Sequence, residues 1–238
     1  MEDSASLHEF AELIQLAQRR SRTYWLLSRC LWESPRQESL EELRNLMGTS
    51  GTKSLAARQP LLDETDAFAN ALQVALSNAD GLQAVAVDFT RLFGGISEAY
   101  GSRPPYESAV RSGTWGGDIA VAVAAVYASA EIEPPVPTGA PHDHLVAELG
   151  FLAIACFREA EAWQLGNRNA ALDWVMRQRD FLDQHLLTWL PDYCRQLADL
   201  AQTPFYRALL DLLPKACRID REDIESILLV AEPLAAHG

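Results

Sequence analysis

The sequence predicts an all-α fold: a single-domain helical bundle of about nine to ten helices with two long irregular loops. Three observations lead there. Leu and Ala are abundant while β-branched residues are scarce, which favours helix. Apolar residues recur three and four positions apart through most of the chain, and cap and breaker residues punctuate those runs. With 238 residues and 48% apolar composition, the chain can bury a core without disulfide or metal staples.

Ser6-Leu7-His8-Glu9 has capping-box spacing and predicts a helix start, after which Phe10, Leu13, Ile14, Ala17, Tyr24, Leu27 and Leu31 form an apolar stripe. Ser34-Pro35 predicts a second start, with Pro35 at the first helical position and Gly48 as the stop. Residues 49–60 are polar and broken, hence a loop, and helical patterns follow from about Leu62 to Ser77 and from about Leu82 to Phe93. The glycines and prolines of 94–117 predict the first irregular segment. Asp118–Glu131 is too long an apolar run for a usual strand and is expected to be helical.

Pro134, Pro135, Pro137, Gly139 and Pro141 predict the second loop, with Asp143 as N-cap of the helix that follows to Gly166. Asn167 is expected to cap a helix that breaks at Pro191, Thr203-Pro204 to open another, and Asp220 to start the last. One domain is expected over 1–238, with N-terminal helices in 1–93, loops around one helix in 94–141 and C-terminal helices in 142–238.

A net charge of -13 opposes binding to nucleic acid or to an anionic membrane surface and favours basic peptides. Cys30, Cys156, Cys194 and Cys217 are widely spaced within apolar patterns and are expected to be reduced core thiols, as in the cytosol. The acidic start lacks a secretory signal, and no apolar run approaches the length of a membrane span, so neither export nor membrane insertion is expected.

His142, Asp143, His144 and Glu148 are the strongest metal candidates, since His144 and Glu148 would share a helix face. They would make a metal-dependent hydrolase or nucleotide-using enzyme. The competing reading makes Asp143 a cap, His144 a packed residue and Glu148 a solvated one. No nucleotide, nucleophile-elbow or zinc-protease motif is present, and nothing nominates a nucleophile, base and oxyanion site together. Neither a catalytic residue nor a cofactor or metal ligand is therefore assigned. Phe93, Tyr100, Tyr106 and Trp115 flank the first loop near Glu98, Glu107 and Asp118, a combination suited to an apolar peptide with a basic end or simply to gluing the loop down.

Leu92-Phe93-Gly94 followed by Pro104-Pro105-Tyr106-Glu107-Ser108 resembles the "LF-x-G … P-P-Y-E-S" segment of the TorD/DmsD/NarJ chaperones of complex molybdoenzymes. Pro141-His142-Asp143-His144-Leu145 stands where that family has "E-P-x-D-H", with Ala140 in place of the glutamate. Phe181-Leu182, His185-Leu186, Trp189, Pro191 and Phe205-Tyr206 resemble its C-terminal "F-L-x-x-H-L-x-x-W-x-P … F-Y".

The resemblance spans about residues 90 to 210. It implies a cytoplasmic chaperone that binds the twin-arginine signal peptide, the apo form of a molybdoenzyme catalytic subunit, or both. Such a chaperone delays export until the molybdenum cofactor is inserted. It implies that Leu92, Phe93, Pro105, Tyr106 and Glu107 line or shape a peptide groove with Asp143 and His144 at its edge. It also leaves open a monomer or a domain-exchanged dimer hinged in the Pro-rich segment Glu133–Pro141, and an assembly scaffold that does not read the signal peptide.

Overall fold

Helices follow the apolar spacing nearly everywhere in a computed structural model that describes residues 2–47, 61–94, 103–133 and 141–231, with the backbone alone for 2–9. In chain order they are α1 (Glu2–Trp32), α2 (Gln37–Leu46), α3 (Leu62–Ala75), α4 (Ala79–Phe93), α5 (Glu107–Ser112) and α6 (Gly117–Ser129). After the second loop come α7 (Leu145–Gln164), α8 (Arg168–Phe181), a π-helical turn (Leu182–Leu186), α9 (Leu187–Leu200) and α10 (Pro204–Ala231). No strand occurs among the described residues; the only ladder pairing there is an isolated antiparallel bridge between Tyr106 and His144.

Fifteen of the twenty residues of α7 are buried, which makes it the central rod of the bundle. Its small residues Ala147, Gly150, Ala153 and Ala160 allow close approach, and α1 packs along it on one side and α8 on another. The long α10 buries a stripe from Phe205 through Leu209, Leu213, Cys217, Ile224 and Leu228 against α9 and α3. One apolar cluster runs from Tyr24 to Leu228 through these helices, and all four cysteines lie in it as free thiols. Burial pushes Cys30 up to about 12, so it stays a thiol.

Several predicted caps hold. Asn167 Oδ1 accepts from the Ala170 N–H (3.2 Å), and Thr203 Oγ1 accepts from Tyr206 (3.4 Å) with Pro204 first in its helix. Others are corrected. α1 already runs through Ser6, so that residue is no cap. Pro35 precedes α2, whose N-cap is Arg36, with its N–H donating to Ser39 Oγ at 2.9 Å. Pro191 lies inside α9, which begins at Leu187 directly after the π turn, so the expected break does not occur there. Gly48 and the loops 49–60 and 134–140 lie outside the described residues.

Asp220 starts nothing, because it sits mid-helix in α10 and belongs to a buried ionic cluster. Arg20 on α1 donates to both of its carboxylate oxygens and to Glu159 Oε2 on α7 (2.8 Å). The Tyr24 hydroxyl donates to Asp220 (2.7 Å), Gln178 of α8 to Glu159 (3.0 Å) and the Trp163 indole to Glu159 (3.2 Å). Burial raises the Glu159 carboxyl, while Arg20, Gln178 and Trp163 oppose it. Four helices are thus fastened at one dry point.

A second polar tie joins α4 to the start of α10. Asp88 Oδ2 accepts from the N–H groups of Gln202 (2.9 Å) and Thr203 (2.7 Å) and from the Thr203 hydroxyl (2.7 Å), and Arg91 donates to Oδ1 (2.6 Å). Burial would raise this carboxyl, but Thr203, Arg91 and Gln202 outweigh it and hold it below its usual value. Because the folded value is depressed, the stabilisation is present above about pH 4 and is lost as pH falls through that lower value. Asp88→Ala is expected to cost about 2 kcal/mol or more in urea denaturation, since two backbone donors lose their acceptor. Asp88→Asn should remove this carboxyl's contribution to the acid-side loss.

Candidate functional site

The first loop is not wholly irregular. Glu107–Ser112 closes into the short helix α5, which the breaker residues around it concealed, and Gly113 ends it in the left-handed conformation (φ 76°). The helix persists because another segment caps it: Asp143 Oδ2 accepts from the Ser108 N–H at 2.8 Å. Asp143 therefore caps α5 rather than its own helix. His144 is the N-cap of α7, its Nδ1 accepting from the Val146 N–H at 3.1 Å.

The two loops are joined by the bridge at Tyr106 and His144. The Glu107 N–H donates to the Asp143 carbonyl (2.9 Å) and the Leu145 N–H to the Pro105 carbonyl (2.8 Å). On the outer side, the Tyr106 ring lies 5.0 Å from Trp115 and 4.9 Å, edge-on, from His144. Trp115 is 64% exposed, so an aromatic surface faces solvent at the junction. Burial lowers His144 to about 4, against the opposing charge of Asp143, so its imidazole is neutral near pH 7 and free to accept from Val146.

Beneath that surface lie three carboxyl groups, Glu107, Asp143 and Glu148, each without solvent exposure. Glu107 accepts from Arg111 through Oε1, and its Oε2 is 2.9 Å from His185 Nδ1. Glu148 Oε2 accepts from the Trp189 indole at 3.1 Å. Burial, with added repulsion from Glu107 and Asp143, raises Glu148 well above the carboxylate range despite the Trp189 hydrogen bond.

Of the residues expected at the groove, the structure brings Pro105, Tyr106, Glu107, Asp143 and His144 together. Pro105, Glu107 and Asp143 are buried, leaving Tyr106 and His144 half-buried at the surface beside Trp115. Leu92 is buried in the main core, and Phe93 packs on Phe89 (5.5 Å) and edge-on against Tyr206 (5.6 Å). Tyr100, Glu98 and Ala140 lie outside the described residues.

The metal reading of His142, Asp143, His144 and Glu148 is overturned by direction. His142 faces Tyr127, Asp143 reaches α5, His144 caps α7 and Glu148 meets Trp189. Among the described residues no group of three or more His, Cys, Asp or Glu side chains is arranged to hold a metal ion. Nor is Glu148 solvated. Ser108, Arg111, His185 and Trp189 were not singled out as site residues. Ser108, His185 and Trp189 stand in the family-like fragments, and helical spacing adds a signal, since four positions separate His185 and Trp189, as they do Glu107 and Arg111.

Comparison with known proteins places the chain. Chaperone protein TorD of Vibrio vulnificus (strain YJ016) is 26% identical over 213 residues, covering 89% of this chain and 97% of the relative. Chaperone protein TorD of Vibrio cholerae (strain M66-2) is 24% identical over 218 residues, 91% and 97% of the two chains. A crystal structure described as a redox enzyme maturation protein from Archaeoglobus fulgidus aligns with a TM-score of 0.46 and 19% identity over 87% of this chain and 93% of the other. The relatives that span most of the chain are chaperones, and on that similarity the chain is a maturation chaperone and not an enzyme. A family model described as nitrate reductase delta subunit matches residues 56–195, and the chain belongs to that family, the TorD/NarJ family. Among the described residues no helix is long and apolar enough to cross a membrane.

Proposed function

We propose that this chaperone works in the cytoplasm on a molybdoenzyme catalytic subunit, binding its twin-arginine signal peptide, its apo form or both, and delaying export until the molybdenum cofactor is in place. The observation that carries the reading is the exposed Trp115 against Tyr106, whose ring also meets His144 edge-on, at the junction of the two loops. A signal peptide offers an apolar stretch and two arginines, which need aromatic contact for affinity and negative charge for orientation. Tyr106, His144 and Trp115 supply the contact, and the net charge of -13 supplies the field. Pro105, Glu107 and Asp143 hold that surface in shape from below, while Leu92 and Phe93 set the end of α4 before the loop.

Isothermal titration with twin-arginine leaders of molybdoenzymes from the same genome tests the reading, together with leaders whose two arginines are replaced by glutamine. Saturable binding to one leader that weakens on arginine replacement is expected. Trp115→Ala should weaken it by about 2 kcal/mol, roughly 30-fold, with little change in stability because the ring is largely exposed. Binding to no leader would sink signal-peptide recognition.

A further inference from the structure

Three carboxyl groups without solvent exposure around one short helix are more negative charge than a dry site tolerates. The partners of these carboxyls are unevenly placed. Arg111 donates to Glu107 Oε1 and His185 Nδ1 lies 2.9 Å from its Oε2, so both oxygens of that carboxyl have partners. Glu148 meets the neutral Trp189 indole through Oε2, and its Oε1 has no hydrogen-bond partner among the described residues.

The groups that face Glu148 come from every element around it. They are Glu107 from α5, Asp143 from the loop, the Trp189 indole from α9, the Tyr127 phenol from α6 and the Cys217 thiol from α10. Tyr127 and Cys217 are both held neutral, chiefly by burial, with the Glu148 charge adding to the effect. Glu148 Oε1 finds no donor among its neighbours, and a hydrogen bond to Glu107 closes only when one of the two carboxyls carries a proton.

We infer that Glu107 and Glu148 hold one proton between them, and that this proton latches α5, with the aromatic surface built on it, to α7 and α9. With the proton in place, Glu148 donates to Glu107 and accepts from Trp189, and α5 is tied to the two long helices. When the proton leaves to bulk water, two ionised carboxylates face each other in a dry pocket, and Asp143 stands as a third beside them. Separation then favours opening of the 105–108 and 143–145 pairings, which reshapes the surface around Tyr106, Trp115 and His144.

The direction in pH follows from the raised carboxyl. The latch is fully present below the ordinary glutamate value and is lost as pH rises through the folded-state value. Its opening constant grows by up to about tenfold per pH unit across that window. None of this depends on what the aromatic surface binds, so it can fail without touching the functional proposal.

Amide hydrogen exchange on the full chain, corrected for intrinsic rates, reads the latch directly. Protection of the Glu107, Ser108 and Leu145 N–H groups is expected to fall with rising pH between about 5 and about 9, a range that buried glutamates are known to reach. Amides in the middle of α7, such as Phe151, should hold steady. In Glu148→Gln the amide nitrogen donates to Glu107 and its oxygen accepts from Trp189 at every pH, so protection should stay flat. The inference is overturned if the wild-type profile is flat, if the variant follows the wild type, or if Phe151 falls in parallel. Should Glu148→Gln fail to fold, infrared spectroscopy of the wild type decides. A protonated-carboxyl band at neutral pH that fades with the lost protection sustains the latch, and its absence at neutral pH overturns it.

Discussion

Arg20→Ala is expected to lower unfolding stability by about 3–5 kcal/mol, because it strands the buried carboxylates of Glu159 and Asp220 without their cation. Against a usual total of about 5–15 kcal/mol, that loss leaves a marginal protein. Urea denaturation at neutral pH measures it. Arg20→Lys should recover only part, since an ammonium cannot reach Asp220 and Glu159 together as the guanidinium fork does. Replacing Arg20 by Met, Glu159 by Gln and Asp220 by Asn together should cost less than Arg20→Ala alone, because no unpaired charge then remains. A cost for Arg20→Ala below about 1 kcal/mol would show that water or a shifted neighbour compensates the charges.

Trp189→Ala should cost a similar amount, about 3–5 kcal/mol, by opening a cavity where a buried indole packs against Tyr193 at 5.3 Å. Trp189→Phe separates the two parts of that effect. It keeps most of the ring contact but removes the donor to Glu148, and should cost about 1–3 kcal/mol. The phenylalanine variant should also loosen α5 more than α10, because the lost hydrogen bond belongs to the acidic cluster beneath α5. Equal loosening of both helices would place the indole's role in general packing.

Local signals were legible wherever the chain obeys its neighbours in sequence. Apolar spacing gave the long helices, Asn167 and Thr203-Pro204 marked their caps, and the scattered cysteines identified core thiols. The failures share a cause in contacts from elsewhere in the chain. Asp143 looks like the cap of its own helix until α5 presents a free N–H across the junction, and Asp220 looks like a helix start until Arg20 arrives from α1. α5 was hidden because six residues between proline and glycine carry too little periodicity to declare themselves. The site was half legible: the family-like fragments named most of its residues, but not that Glu107, Glu148, His185 and Trp189 meet in one pocket.

The pairing of Arg20 with Asp220 also bears on the order of events during synthesis. Its two partners stand 200 residues apart, with Glu159 and Gln178 between them in sequence. At about 5–20 residues per second, roughly 10 to 40 s pass between the making of the first and the last partner. Throughout that interval the first helix carries an arginine whose final site does not yet exist, and it can associate with α7 only provisionally. The bundle is therefore completed from its carboxyl-terminal end, when α10 leaves the ribosome and delivers the last charge.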